Sequence, residues 1–472
     1  MAKQTRDKKE LFESMPIPKA LATLAVPTII SQMISVIYNM VDSFFIGRTG
    51  DPLKLAATSL SLTVMLLCIS FANLFGVGGG SLIARLMGAR REDEAKSVCA
   101  FSIYGAAGVA LLYSCLVGIF LEPLMRLLGA SDDTIGYSKQ YVFYVVVIGC
   151  VFQTLSLVLA FLLRNTGNSG KASMGLSGGG ILNMFLDPLF MFVILPKGME
   201  VVGAAVATLI SNVCACAYLL FALAKASHSS PLSLRFSDAR AIKKENAKKL
   251  FSVGVPSAIL AGLFDIANIF MNMLAAAHSD MVLAGVGIVM KVERIPNAIN
   301  IGICQGMMPI VAYNYASGDH DRMKKTIRFA RICGLTVSVV CIILLQVFAR
   351  PVTGFFLSTA SGSADTALAT LAYAVIFLRI RCLASPVQFL NYNSSYAMQG
   401  IGNGLGTMIH ALVREVVFYI PCMFILDRFF GENGLAAALV VGEGLGAVVA
   451  LILLHYTIKK RLAPKAAVPQ ED

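Results

Sequence analysis

Long apolar runs separated by short polar segments dominate the chain. Twelve such runs, at residues 21–47, 54–80, 98–121, 138–163, 172–195, 200–224, 250–276, 281–312, 329–349, 367–399, 405–427 and 434–457, each approach or exceed the ~20 residues a helix needs to cross a ~30 Å hydrocarbon core. The runs are continuous, whereas the strands of a membrane barrel would alternate apolar and polar positions. Helices also satisfy their backbone hydrogen bonds within one segment, which lipid demands. The expected fold is therefore an all-α polytopic membrane protein with twelve transmembrane helices. Several runs exceed the minimum length, which leaves room for tilt or kinks.

The pattern occurs twice, about 228 residues apart, and such duplication is the mark of a two-lobed transporter. Leu24-Ala25-Val26-Pro27 matches Val253-Gly254-Val255-Pro256, and Leu55-Ala56-Ala57 matches Leu283-Ala284-Gly285. Gly78 lies opposite Gly306, and the polar connection from Ala84 to Lys96 lies opposite that from Ala312 to Lys324. After small changes of register, Gly167-Asn168 matches Gly402-Asn403, and the segment from Gly203 to Thr208 matches that from Gly434 to Leu439. One six-helix unit is used twice in the same orientation, as two pseudo-symmetric bundles. The expected boundaries are 1–225 for the first lobe, 226–249 for a basic linker, 250–458 for the second lobe and 459–472 for a tail.

Composition agrees, with 57% hydrophobic and 14% charged residues in 472 and no tryptophan. The net charge of +12 would suit nucleic acid, but its distribution predicts membrane orientation instead. The N-terminal segment carries Lys3, Arg6, Lys8, Lys9 and Lys19, and later connections on that side carry Arg85, Arg90, Arg91 and Lys96, then Lys225 to Lys249, then Arg322 to Arg331. The other side has only scattered cations such as Arg48, Arg126, Lys197 and Arg428. Both termini are thus expected in the cytoplasm, with the chain multi-pass in the cytoplasmic (inner) membrane and no nucleic acid as partner. The first twenty residues lack an apolar core, so the first span is expected to direct insertion. Eleven cysteines sit mostly within spans, without a Cys-x-x-Cys pair, and read as small apolar filler.

Acids inside the spans need explanation, because a carboxylate at the bilayer centre costs at least ~2.5–3.5 kcal/mol. They are Asp42, Asp187, Asp265, Glu293, Glu415 and Glu443. Asp42 follows Tyr38 and Asn39 at helical spacings, and Asn183 lies one turn before Asp187, so two helices of one lobe carry polar stripes. Carboxyls withdrawn from water favour the protonated form, which suits a proton carrier. The plainer reading places each acid at the interface or beside a base, as Glu293 lies beside Lys291 and Arg294. Pro27 and Pro188 weaken helix continuity and allow bending. Methionines and phenylalanines are numerous enough to line a flexible cavity for apolar cations, although most of them simply pack. The glycine clusters at 76–80 and 178–180 lack the Lys-Ser/Thr ending of a phosphate loop and read as close helix packing. His278, His320 and His410 have no zinc spacing. No ATPase motif or catalytic constellation is visible, so the chain is not expected to be an enzyme or to use a cofactor or metal, and an ion gradient is the expected energy source.

With these residues the chain resembles the multidrug and toxic compound extrusion (MATE) transporters, particularly their MepA-like branch. The likeness rests on the early proline with Tyr38-Asn39-Met40-Val41-Asp42 and Gly47, on Gly203-Ala204-Ala205-Val206-Ala207-Thr208, and on the stretch from Gln305 to Tyr315. It implies two six-helix bundles around a V-shaped cavity and an antiporter exporting small hydrophobic, often cationic compounds in exchange for protons or sodium. In proton-linked members a first-helix aspartate works with an Asn-x-x-x-Asp pattern on the fifth helix, which Asp42, Asn183 and Asp187 match. Thr208 matches a sixth-helix polar position more loosely, and Tyr38, Asn39, Asp265 and Glu293 are candidate cavity residues. Members with a second-lobe cation site use acids on helices seven and ten. Asp265 suits the first position, but the tenth span has Arg379 and Arg381 and no acid before Gly400. The resemblance therefore implies H+ rather than Na+ as coupling ion, in a chain expected to act as a monomer in the lipid bilayer. The alternatives are a lipid-linked precursor flippase, which would depend on basic cavity residues such as Arg379, Arg381 or Arg414, and a polytopic membrane enzyme.

Overall fold

Residues 9–49, 51–357 and 364–462 are described by a computed structural model, which is helical throughout its spans. Six helices form the first lobe: α1 (Ile17–Gly47), α2 (Pro52–Gly88), α3 (Glu92–Ile119), α4 (135–165), α5 (169–194) and α6 (Glu200–Ala226). The second lobe repeats them as α7 (Lys244–His278), α8 (Asp280–Ser317), α9 (His320–Val347), α10 (364–401), α11 (404–430) and α12 (432–462). Among the described residues ten continuous helices are long and apolar enough to cross a membrane, and α4 adds an eleventh as two pieces bent by 47°. The longest of the ten runs from Gly404 to Leu462 and breaks at Gly431, whose φ of 58° and ψ of −145° lie outside helical space. That break separates α11 from α12, and the twelve expected spans result.

Local chemistry explains the boundaries. α4 and α10 both end on the glycine of the repeated Gly-Asn pair, Gly167 at φ +82° and Gly402 at φ +84°, a left-handed conformation that glycine adopts without a Cβ clash. Asn403 then caps α11 by accepting a hydrogen bond from the Gly406 amide at 3.0 Å. Pro188 is followed by a widened π turn at Phe190–Ile194, so the α5 backbone changes register immediately after Asp187.

The two lobes pack by one plan. α1 lies on α5, α2 on α3 and α4, α4 on α6, and α5 on α6; α7 lies on α11, α8 on α9 and α10, α10 on α12, and α11 on α12. The lobes join reciprocally, α2 against α7 and α8 against α1. Glycine makes these crossings possible: a methyl on Gly254 would fall 2.0 Å from the Leu74 carbonyl oxygen, and one on Gly306 would fall 2.6 Å from Ala25 Cα. Gly78 faces Gly254 in the same crossing, so the glycine cluster serves packing, as expected.

Helices outrun their apolar segments. α7 starts at Lys244, inside the stretch expected to be linker, and α12 continues to Leu462, beyond the expected end at 458. Hydropathy marks only the part of a helix in hydrocarbon, while hydrogen bonding carries the helix on into water. The rest of the expected tail lies outside the described residues. Between the lobes a short helix, Phe236–Arg240, packs on α3. Leu232 enters the first-lobe core, and the Tyr104 hydroxyl donates to the Leu234 carbonyl at 2.8 Å.

Candidate functional site

The tight approach of α1 to α5 is where the predicted polar stripes meet. Gly180 lets the Tyr38 ring lie against α5, since a methyl there would fall 3.0 Å from Tyr38 Cδ1. One turn beyond Tyr38, Asp42 is half-buried, with its Oδ1 enclosed and without a hydrogen-bond partner among the described residues. Asp187 is completely buried and close enough to Asp42 for the two carboxyls to interact. Asn183 donates its amide to Asp187 Oδ1 at 3.0 Å and to Thr208 Oγ1 on α6 at 3.4 Å. The other Asp187 oxygen and the Asn183 carbonyl oxygen have no partner among the described residues. Three helices thus bring four of the predicted residues together around enclosed acceptor oxygens. An enclosed pocket with unpaired acceptor oxygens suits a proton or a small cation.

Sequence reasoning missed the fourth wall. Tyr141 on α4 is buried beside Asp42, Asp187, Tyr38 and Thr208. Ser138-Lys139-Gln140-Tyr141 reads as an ordinary polar span entry, and no spacing rule ties α4 to α1. Asn39 is exposed, donates to the Ser35 carbonyl of its own helix at 2.6 Å, and its side chain also acts on the Tyr38 hydroxyl.

Of the four acids predicted inside the second lobe's spans, Glu293, Glu415 and Glu443 each have an arginine against them. Glu293 on α8 receives both arms of Arg381 on α10, at 2.8 and 2.9 Å, and not its sequence neighbours Lys291 and Arg294. Arg414 on α11 clamps Glu443 on α12 at 2.8 and 2.5 Å and stacks over Tyr392 at 5.2 Å, with its other neighbour Glu415 at 3.5 Å. Asn391 donates to Glu443 at 2.6 Å, while its carbonyl faces His410 Nε2 at 3.0 Å. Asp265 stands apart, half-buried on α7, with Arg294 as its one charged neighbour. Arg294 also acts on Tyr38, so its charge lies between the lobes.

Counting along the repeat compares the two sites directly. From Pro27 and Pro256, Asp42 corresponds to Met271 and Tyr38 to Ala267. From the paired Gly-Asn corners, Asn183 corresponds to Phe418 and Asp187 to Cys422; from Gly203 and Gly434, Thr208 corresponds to Leu439. Ala267, Met271 and Leu439 belong to the apolar core of the second lobe, with Cys422 packed against it. The first-lobe acid pocket therefore has no counterpart in the second. Among the described residues no three His, Cys, Asp or Glu side chains are grouped to hold a metal ion.

Known proteins share this architecture. The model of the MatE family matches residues 27–189 and 256–425, one segment in each lobe. The chain is 29% identical over 451 residues to "Multidrug export protein MepA" of Staphylococcus saprophyticus, with 96% of both chains covered. The same identity and coverage relate it to the protein of that name from Staphylococcus aureus strain MRSA252. Among solved structures, a MATE protein in complex with MaL6 superposes with a TM-score of 0.89 at 22% identity, covering 96% of this chain and 98% of the other. An outward-facing multidrug resistance MATE family transporter superposes with a TM-score of 0.86 at 23% identity and the same coverage.

Proposed function

The chain belongs to the MatE family, and from that premise we propose that it is a multidrug efflux antiporter, exporting small hydrophobic and often cationic compounds in exchange for protons by alternating access. The observation that carries this reading is the enclosed Asp42–Asp187 pair, whose oxygens Asp42 Oδ1 and Asp187 Oδ2 lack partners while every donor of Asn183 is in use. Ionised, the pair attracts a cation into the cleft. A proton arriving from outside removes one of its two negative charges, weakens that attraction and lets α1 repack against α5 around Pro27 and Pro188, which releases the compound outward. Each proton entering down a 100 mV potential contributes ~2.3 kcal/mol to this cycle. With both termini cytoplasmic, the basic connections stay on the inner side of the cytoplasmic membrane.

The flippase alternative needs free basic residues in the cavity. Of the three arginines named for it, Arg381 and Arg414 are instead held by Glu293 and Glu443, which leaves the exposed Arg379 without a carboxylate partner among the described residues. Ethidium transport by purified protein in liposomes, under an imposed pH gradient with sodium varied separately, tests the proposal. Movement driven by pH and lost in Asp187→Asn is the expected result. Movement driven by sodium alone, or unchanged in Asp187→Asn, would overturn it.

A further inference from the structure

The lobes differ at the end of the molecule that carries the N-terminal segment. In the first lobe the outer side of α3 is covered there by residues of the connection to α7, with Leu232 buried, Leu234 hydrogen-bonded to Tyr104, and the Phe236–Arg240 helix laid across α3. The corresponding place in the second lobe, between α9 and α12, is an open groove of about 450 Å³. Its upper wall holds Lys324, Arg328 and Arg331, spaced to share one face of α9, and its floor includes Ile332, Leu335 and Ile458. Counting from the matched Lys96 and Lys324, Arg328 and Arg331 stand where the first lobe has Ala100 and Ile103, both buried. The cations are therefore particular to the uncovered groove.

Three further observations define an occupant. Arg331 is fixed by donating from Nε to Asn393 Oδ1 at 3.2 Å, while Lys324 and Arg328 are exposed and have no carboxylate partner among the described residues. Below the cations, α9 presents Ile332, Val339, Ile343 and Val347, all about half exposed or more, as a column facing outward. In a membrane protein that column faces acyl chains. We infer that the groove binds an anionic two-chain phospholipid, its phosphate against Lys324, Arg328 and Arg331 and one acyl chain along Ile332, Leu335 and Ile458. Charge complementarity and the continuous apolar path both favour lipid over a soluble anion. The segment beyond Leu462, which ends in Glu471-Asp472, is the competing occupant.

The purified full chain in detergent, titrated with dioleoyl-phosphatidylglycerol or dioleoyl-phosphatidylcholine and read by native mass spectrometry, tests the inference without any transport step. Its failure is thus separate from failure of the antiport mechanism. The anionic phosphatidylglycerol should bind the tighter of the two, and K324Q/R328Q should weaken it ~25-fold, since each surface cation is worth about fivefold. K225Q/K248Q removes the same charge from exposed positions elsewhere and should leave binding unchanged. Ile332→Trp, at an exposed site, should block the groove with the charges intact. Equal binding of the two lipids, an unchanged affinity in K324Q/R328Q, or tighter binding once E471Q/D472N neutralises the tail would overturn it.

Discussion

In the first lobe Asp187 is fully enclosed and receives one amide hydrogen bond, from Asn183, with no cation against it. In the second lobe Glu443 is equally enclosed but receives both arms of Arg414 and the amide of Asn391. Asp187 stands on the fifth helix of its lobe and Glu443 on the sixth of its own, yet both lobes pack by the same plan and both acids are buried, so burial alone does not decide the difference. The counter-charge does. A buried carboxylate locked to a guanidinium has little use for a proton, whereas one with a bare oxygen has every reason to take one up and give it back. On the proposed mechanism the first lobe carries the exchange, while the second holds its acid in an ion pair.

Asp187→Asn should break the comparison most severely. Ethidium movement under a pH gradient is expected to fall to the level of protein-free liposomes, while thermal unfolding in detergent stays at or above that of the parent, because the change removes an uncompensated buried charge. Arg414→Met should do the reverse. It leaves Glu443 buried and unpaired, at a cost of about 3–5 kcal/mol in stability by denaturant titration. Adding Glu443→Leu should recover most of that loss and retain proton-driven transport, which a coupling role for the pair would forbid.

Next in size is the inter-lobe crossing. Gly254→Ala forces a methyl against the Leu74 carbonyl oxygen at 2.0 Å, so α2 and α7 must separate. A loss of about 1–3 kcal/mol is expected from overpacking, together with slower transport of every compound. An effect confined to one compound would point to the cavity instead.

The smallest effect belongs to an exposed acid, where water replaces what burial enforces elsewhere. Lys139 donates to Glu122 at 2.7 Å and holds its carboxyl below the usual glutamate range. With the folded value depressed, the pair's contribution is present above the unfolded glutamate pKa and is lost as pH falls through the folded value. Glu122→Gln should therefore flatten the acid limb of a stability–pH profile slightly and change nothing near neutrality.

Much of this was legible in the chain before any packing was known. Apolar runs marked the spans, and the matched Gly-Asn corners marked the repeat. The one-turn spacings of Tyr38 to Asp42 and Asn183 to Asp187 marked the polar stripes. Tyr141 escaped notice because it lies on a helix with no spacing relation to the others.

Hydropathy, capping and helical spacing are local, so the sequence by itself determined twelve helices, their duplication and which faces carry acids. Partnership is not local. That Arg414 meets Glu443 rather than only its neighbour Glu415, that Arg381 reaches Glu293, and that Asp187 meets another acid but no base were decided by tertiary structure. The physical reason is that a charge inside a membrane is governed by whatever lies within a few ångströms across helix boundaries, and only packing brings those groups together.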